Sequence, residues 1–182
     1  MFTEEEQKDI LRVKETIEIF IDSMKREKWA EGYILPWDKV FLSGGSIASL
    51  INVETPKDFD FYFEDIPAMN EMSEHLKKHK EEIADLVSRY GDAVVGGKMI
   101  TAQAITMKNK WSFITMLAGT PDQVRKSFDY VHCKPYYSLR EKKFYISEEQ
   151  YRACKQKKLI VNNPIMVKRY REEKFLERGF KK

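Results

Sequence analysis

The sequence predicts an α/β or α+β fold, in which a sheet is flanked by helices and followed by a basic helical segment. Helical and period-two spacings of apolar residues alternate along the 182 residues, which is typical of a mixed fold. Hydrophobic residues make up 42% and aromatic residues 13% of the chain. That is enough for a packed core and argues against wholesale disorder. We expect a core over residues 1–140, including the N-terminal helix, and a C-terminal segment over 141–182 that packs on it.

The beginning of the chain alternates helix with strand. Thr3 and Glu6 match a capping box, in which each side chain bonds to a free amide at the start of a helix. Apolar residues at helical spacing continue the helix over residues 4–28. A short apolar strand over 39–43 then runs into two glycines, and a short helix extends to Ile51.

The middle of the chain contains the strongest strand signal. Residues 58–63 alternate acidic with aromatic side chains, and Pro56 favours an extended approach to them. An amphipathic helix is predicted over 67–90. Two further strands, 99–107 and 111–117, are predicted to form a hairpin.

The remaining predicted elements are shorter. Thr120, followed by proline and aspartate, begins a short helix, and residues 128–133 are predicted as a strand. Ser147 begins a helix that extends to Leu159. A last helix is expected over 165–178, before a glycine that would end it.

Charge is distributed unevenly along the chain. Residues 134–182 carry 15 of the 32 basic and 6 of the 29 acidic side chains, so the net charge of +3 combines an acidic body with a basic end. A basic end of this kind favours a polyanionic partner such as a nucleotide or nucleic acid, RNA and tRNA included. Candidate phosphate or nucleic-acid contacts are Lys155, Lys168, Arg171 and Lys174. The solvated face of two helices is the other interpretation.

The sequence also bears on the cellular compartment. No run approaches the roughly 18 to 20 apolar residues of a membrane-spanning helix, and the acidic start is unlike a signal peptide. Two cysteines are too few for a disulfide or zinc framework and are expected to be buried thiols. We therefore expect a cytoplasmic protein without a membrane partner. The sequence does not predict an oligomeric state.

A pair of aspartates marks the first candidate site. Asp58 and Asp60 are two residues apart on a predicted strand, so their side chains leave the same face. Carboxylates about 4 Å apart repel by roughly 4 kcal/mol at an effective dielectric near 20, and either solvent or a cation must offset this. Oxygen ligands of this kind suit Mg²⁺ or Mn²⁺. A metal site and an ordinary half-exposed strand both remain open.

A glycine turn marks the second candidate site. Gly44, Gly45 and Ser46 lie between a predicted strand and a predicted helix. Glycines in this position let the backbone approach a phosphate, while the serine hydroxyl and the helix start supply donors. A double glycine is also common in ordinary turns. The short distance in sequence to Asp58 would let both candidate sites share one cleft.

These motifs resemble the signature of the DNA polymerase β-type nucleotidyltransferase superfamily. That signature has a hydrophobic residue, a glycine and then a glycine or serine, followed after a short spacer by Asp, a hydrophobic residue and Asp. The chain has Leu42 to Ser46 and then Asp58-Phe59-Asp60. Residues 100–105, Phe128-Asp129 and residues 171–180 are similar to small nucleotidyltransferase-like proteins of tailed phages, which would act in the host cytoplasm.

The resemblance implies a nucleotidyltransferase-type mixed sheet, an NTP substrate and a third carboxylate on a neighbouring strand. Asp129 is the candidate for that acid, because it lies between aromatic residues on a predicted strand. Asp92 is a weaker candidate, and an exposed edge-strand aspartate is the other interpretation of Asp129. Asp58, Asp60 and Asp129 would together bind two metal ions, Mg²⁺ or Mn²⁺. The glycine turn would hold the β- and γ-phosphates.

The function implied by the resemblance is metal-dependent nucleotidyl transfer. An NTP such as ATP would give its nucleoside monophosphate to a hydroxyl of RNA or tRNA, a protein or a small molecule, and release pyrophosphate. The alternatives are a non-catalytic module that binds a nucleotide or nucleic acid and a toxin- or antitoxin-like interaction protein. CCA-adding enzymes usually carry Arg-Asp soon after the glycines, whereas this chain has Ala48-Ser49. They also carry larger helical domains, so CCA addition is not expected of this chain.

Overall fold

The computed structural model of the protein describes residues 1–85, 94–95, 98–99 and 104–182. The strands in these residues are β1 (Val40–Ser43), β2 (Phe59–Phe63), β3 (Ile83–Asp85), β4 (Val94–Val95), β5 (Lys98–Met99), β6 (Ala104–Met107), β7 (Trp111–Ala118), β8 (Tyr136–Ser138) and β9 (Lys143–Tyr145). The α-helices are α1 (Glu4–Lys25), α2 (Gly45–Ile51), α3 (Ile66–Lys77), α4 (Pro121–Lys126), α5 (Glu148–Lys155) and α6 (Arg169–Glu177). Helices of the 3₁₀ type are Trp37–Lys39, Lys80–Glu82, Lys108–Lys110, Val131–Cys133 and Pro164–Met166.

A mixed sheet of seven strands organises the fold, in the order β3-β6-β7-β2-β1-β8-β9, while β4 and β5 pair separately. Strand β2 pairs antiparallel with β1 and parallel with β7, and β1 also pairs antiparallel with β8. Strand β1 therefore ends at the edge where β2, β7 and β8 begin. The segments after Ser43, before Phe59 and before Tyr136 meet at this edge. The predicted mixed sheet flanked by helices is confirmed.

The two faces of the sheet carry different side chains, as the period-two pattern of β2 predicts. Phe59, Phe61 and Phe63 are buried in the main core together with apolar residues of α1, α2 and α3. On the opposite face, Tyr62 packs in a smaller cluster that includes Val124 of α4. Because Asp60 alternates with the three phenylalanines, it lies on that second face.

Local sequence signals place several elements correctly. The capping boxes at Thr3 and Ser147 are present, and a third one at Thr120 begins α4. The hairpin of β6 and β7 is also confirmed, and its connection contains Asn109 with a positive φ of 68°. Helix α1 ends at Lys25, three residues before the predicted end.

The long helix predicted over 67–90 is wrong in its second part. Helix α3 ends at Lys77, and the chain continues as a 3₁₀ turn and then as β3. Ile83 pairs with Met107 of β6. This residue therefore belongs to a strand, although its spacing from the preceding apolar residues predicted a helix. Two predicted elements lie partly outside the described residues: the helix over 67–90 at residues 86–90, and the strand over 99–107 at residues 100–103. Asp92 also lies outside them.

The strand predicted over 128–133 is also wrong. Asp129 lies in a bend, Tyr130 forms an isolated bridge with Val161, and a 3₁₀ helix follows. The free edge of β1 pairs with β8 instead. The prediction missed β8 and β9 because each has only three residues, too few for period two to be recognised.

The basic end packs back on the rest of the chain. Helix α5 ends at Lys155 and α6 begins at Arg169, so both are shorter than predicted. Gly179, with φ of 91°, follows α6. The chain then returns to the segment after α5, where the Lys181 amide donates to the Lys157 carbonyl at 2.8 Å. The sheet includes β9, beyond residue 140. The division at that residue stays a prediction.

Among the described residues, no helix is both long enough and apolar enough to cross a bilayer.

Candidate functional site

A cavity of about 400 Å³ lies at the sheet edge where β1 ends and β2 begins. This volume is within the usual range for small-molecule sites, roughly 300 to 1,000 Å³. The predicted site residues in its lining are Gly44, Gly45, Ser46, Asp58, Asp60, Asp129, Lys168, Arg171 and Lys174. Lys155 is not in this lining: it lies on α5, where its Nζ is 3.4 Å from Asp9 Oδ2. The glycine turn, the aspartate pair and part of the basic end therefore line the same cavity.

The glycine turn is shaped by its backbone conformation. Gly44 has φ of 95° and ψ of −161°, a region that only glycine adopts readily. A Cβ atom at this residue would lie 3.5 Å from Asp60 Oδ2. The Gly44 amide donates to the Cys133 carbonyl at 3.0 Å. The turn is thus held against both the β2 aspartate and the segment that precedes β8.

Ser46 contributes a buried hydroxyl to the site. Its Oγ is buried and has no hydrogen-bond partner among the described residues. Buried polar atoms are almost always satisfied, by protein, water or ligand. Since Ser46 lines the cavity, a bound group with an acceptor oxygen would satisfy it.

Asp58 and Asp60 provide the acidic side of the cavity. Asp60 lies opposite Ser43 on β1 and Ser112 on β7, and neither of these strands contains an aspartate or glutamate. Within the described residues, no group of three or more His, Cys, Asp or Glu side chains is arranged to hold a metal ion. Mg²⁺ is often bound by one or two carboxylates that act together with substrate phosphates and water. The carboxylates of Asp58 and Asp60 therefore fit Mg²⁺ or Mn²⁺ that is held together with substrate phosphates.

Asp129 lies in the cavity wall but is tied to the C-terminal helix. Arg171 of α6 donates from Nε to Oδ2 at 2.5 Å and from Nη2 to Oδ1 at 3.3 Å. Oδ1 also accepts from the Tyr130 amide at 3.0 Å. Asp129 is only 5% exposed, so this contact is a largely buried ion pair with the two-point geometry that makes such pairs strong.

Helix α6 turns a cationic face toward the cavity. Arg171, Lys174 and Arg178 follow one another at helical spacing, and all three line the cavity. Arg178 Nη2 donates to Ser49 Oγ at 3.0 Å, and Arg178 Nη1 is 3.9 Å from the position of a Cβ at Gly45. Its guanidinium therefore lies beside the glycine turn.

Sequence reasoning missed two cavity cations, Lys57 and Arg178. Arg178 is seven residues after Arg171, a spacing that returns to the same face of a helix and was a usable signal. Lys57 had no signal beyond its position next to Asp58.

His132, in the 3₁₀ helix Val131–Cys133, is fully buried. Its ring lies 4.5 Å from the Phe175 ring and 4.3 Å from the Phe180 ring, measured between centroids. Its Nδ1 has no hydrogen-bond partner in the described part of the chain. Burial lowers the pKa of His132 to about 3, because a charged imidazole would lose its hydration there. The folded protein therefore keeps this side chain neutral.

We expect the free energy of unfolding to fall as the pH decreases from about 6.5 toward 3. The unfolded chain protonates His132 near pH 6.5, whereas the folded chain does so only near pH 3. In the variant His132→Leu, the loss of stability should be smaller by up to roughly 1.4 kcal/mol per pH unit. Urea unfolding of both proteins between about pH 4 and 7 measures the difference. If the free energy of unfolding depended on pH in the same way in both proteins, another group would be the cause of any loss of stability in the wild type.

The two cysteines are free and buried, as the sequence predicts. Burial, with the nearby Asp129 carboxylate as a smaller cause, raises the pKa of Cys133 to about 12, and burial also raises the pKa of Cys154. Neither thiol is therefore suited to act as a nucleophile near neutral pH.

Solved structures with a similar fold include CCA-adding enzymes. The Thermotoga maritima CCA-adding enzyme complexed with tRNA matches with a TM-score of 0.51 and 18% identity, over 79% of this chain and 34% of that chain. A tRNA-processing enzyme with CTP has a TM-score of 0.46 and 14% identity, over 70% of this chain and 34% of the other. A CCA-adding enzyme with CTP has a TM-score of 0.45 and 18% identity, over 70% of this chain and 29% of the other.

The likeness to the Thermotoga enzyme concerns the fold, which is the predicted nucleotidyltransferase type. This chain spans about a third of the length of the structures that it matches. A comparison with curated proteins finds no match.

The family of the chain follows from its sequence. A family model described as "Gad2: Gabija anti-defense 2 family protein" matches residues 11–157. This range begins within α1, ends just after α5 and includes the glycine turn, Asp58, Asp60 and Asp129. The chain therefore belongs to the Gabija anti-defense 2 family.

Proposed function

We propose that the protein is a metal-dependent nucleotidyltransferase, which transfers a nucleoside monophosphate from an NTP to a hydroxyl and releases pyrophosphate. One observation carries the proposal. The glycine turn, Asp58, Asp60 and the cationic face of α6 all line one cavity, in a protein whose fold is similar to that of a CCA-adding enzyme. A nucleoside triphosphate needs such a combination, because its polyphosphate binds both to protein cations and to a metal ion.

Each part of the cavity has a distinct task in this proposal. Asp58 and Asp60 would hold Mg²⁺ or Mn²⁺, which when bound neutralises phosphate charge and polarises the phosphoryl oxygens. The backbone at Gly44 leaves room for a phosphate, and Ser46 Oγ donates to one of its oxygens. Arg178 lies beside the turn and would balance further negative charge of the phosphates.

The transfer is a displacement at the α-phosphorus. An acceptor hydroxyl oxygen forms a bond to this phosphorus, and the bond from the α-phosphorus to the oxygen that bridges to the β-phosphate breaks. Pyrophosphate leaves with that electron pair, and the hydroxyl proton passes to solvent. The protein accelerates the reaction mainly by positioning both reactants and by electrostatic stabilisation.

The acceptor belongs to one of three classes: RNA or tRNA, a protein, or a small molecule. Lys168 and the exposed Tyr170 line the cavity, and together they suit the phosphates and bases of a nucleic-acid end. The family description points to an activity directed against Gabija defense. We therefore propose that the acceptor is a component of that system or a molecule on which it depends, and that a phage-encoded protein of this kind acts in the host cytoplasm.

A second candidate function is nucleotide binding without transfer. The observation that favours it is the lack of an acidic residue on either strand that pairs with β2. A site with the carboxylates of Asp58 and Asp60 would still bind a metal–nucleotide complex. Such a protein would act by sequestering a nucleotide.

Labelling with radioactive NTPs tests the transferase proposal. The protein is incubated with each NTP, Mg²⁺ or Mn²⁺, and in turn tRNA, purified Gabija proteins or a small-molecule extract. We expect label transfer with release of pyrophosphate, lowered about 100-fold or more in Asp58→Asn and Asp60→Asn because the metal loses its ligands. Asp38→Asn is the matched control, since Asp38 is exposed and precedes β1 at the end away from Gly44.

Three outcomes of this experiment separate the candidates. Equal labelling by the wild type and both variants would contradict the transferase proposal. NTP binding by the wild type with no transfer to any acceptor would favour the second candidate. A loss of labelling in the Asp38 variant would show that the assay reports stability rather than the site.

A further inference from the structure

The surroundings of Asp129 differ from those expected of a metal ligand. Its two oxygens accept from Arg171 Nε, Arg171 Nη2 and the Tyr130 amide. Its carbonyl accepts from the Asn162 amide at 2.7 Å. Backbone and carboxylate are thus both fixed. An ion bound to this carboxylate would lie close to the positive charge of the arginine, and the repulsion between the two cations disfavours coordination there.

The position of Asp129 in the fold also differs from that of a strand carboxylate. It lies in a bend between α4 and the 3₁₀ helix that precedes β8. The strand residues that flank Asp60 in the sheet are Ser43 and Ser112, both fully buried. The third acid that the resemblance places on a neighbouring strand is therefore missing from both neighbours of β2.

We propose that Asp129 is a positioning residue that holds the Arg171 guanidinium in the cavity, and that the site operates with one metal ion. This inference rests on the proposed nucleotide site. The single ion binds to Asp58 and Asp60, and Arg171 supplies the fixed positive charge that a second ion would supply. Asp129 does not contact the ion.

The chemistry of the pair fits this role. A guanidinium bound through Nε and one Nη keeps its plane and direction, so its positive charge stays at one place in the cavity. The side chain of Asp129 is 5% exposed and that of Arg171 is 27% exposed. The carboxylate is therefore the buried partner of the ion pair, and the guanidinium is the partner nearer to the cavity. Arg171 also lies over the Phe175 ring, with 5.3 Å from its Cζ to the ring centroid, which fixes its position further.

Counting bound ions tests this inference without an activity assay. Mn²⁺ is titrated into the protein in the presence of a non-hydrolysable NTP analogue and followed by electron paramagnetic resonance. We expect one Mn²⁺ per chain in the wild type and in Asp129→Asn. In Asp60→Asn, Mn²⁺ affinity should fall about tenfold or more, since a coordinating charge is removed. Asp38→Asn serves again as the control.

Nucleotide affinity tests the positioning role separately. Asp129→Asn and Arg171→Gln should each weaken binding of the analogue about tenfold. The double variant should be no weaker than either single one, because the first substitution releases the guanidinium from its position and the second removes the same group. Additive losses would overturn the positioning role. If Asp129→Asn fails to fold in a thermal melt, Arg171→Gln and the wild-type ion count still decide the question.

The failures of the two proposals are distinguishable. A wild type that binds neither the analogue nor Mn²⁺ contradicts the proposed function itself. A wild type that binds the analogue with two Mn²⁺ ions, one of which is lost in Asp129→Asn, overturns the one-ion site and leaves the proposed function intact.

Discussion

Replacement of Gly44 by alanine is expected to lower nucleotide transfer by about 100-fold or more. At φ of 95° and ψ of −161°, a side chain costs roughly 1–3 kcal/mol of backbone strain. The chain can relieve that strain only by moving the turn, which lies against Asp60 and the Cys133 carbonyl. A shift of about 1 Å in a catalytic site can cost two orders of magnitude in rate. The measurements are label transfer and the affinity for an NTP analogue.

Gly32 offers a matched control for this substitution. It also has a positive φ, 82°, but a Cβ there would meet no atom within 4 Å, and the residue is exposed. Gly32→Ala should lower stability by about 1 kcal/mol and leave transfer unchanged. Should Gly44→Ala behave in the same way, the turn would have no special role in binding phosphate.

Replacement of Phe113 by alanine is expected to lower the free energy of unfolding by about 3–5 kcal/mol. Phe113 of β7 is fully buried, and its ring packs against Trp29 at 5.5 Å and Phe61 at 5.3 Å between centroids. The cavity left by the deleted ring cannot close, because rigid aromatic side chains surround it. Denaturant unfolding of wild type and variant measures the loss.

Met116→Ala is the control on the same strand. Met116 is 43% exposed, so its truncation should cost less than about 1 kcal/mol. If both variants lost stability equally, β7 would be sensitive to any shortened side chain and the core around Phe113 would not be the cause.

The candidate site was predictable where its signals are local. The turn at Gly44 and Gly45 and the alternation of Asp58 and Asp60 with aromatic residues each depend on a few adjacent residues, and both strands form as predicted. The capping boxes at Thr3 and at Ser147 are local signals of the same kind.

Features that depend on distant partners were not predictable. Asp129 was expected on a strand because aromatic residues flank it, yet its conformation is set by Asn162 and Arg171, more than thirty residues later. Likewise, Ile83 belongs to a strand only because β6 lies beside it. A single sequence does not indicate which distant residues contact each other. The contacts of Asp129 with Asn162 and Arg171 therefore become apparent only in the structure.

The ion pair between Asp129 and Arg171 joins residues 42 positions apart, which has a consequence during translation. The ribosome produces all three aspartates of the cavity before it produces any cation of α6. A nascent chain that has not reached α6 therefore presents the acidic side of the cavity without the cations of α6, and this attracts metal cations. At the proposed nucleotide site, full affinity is expected only after α6 docks, so prematurely terminated chains should compete weakly with the finished protein for NTP.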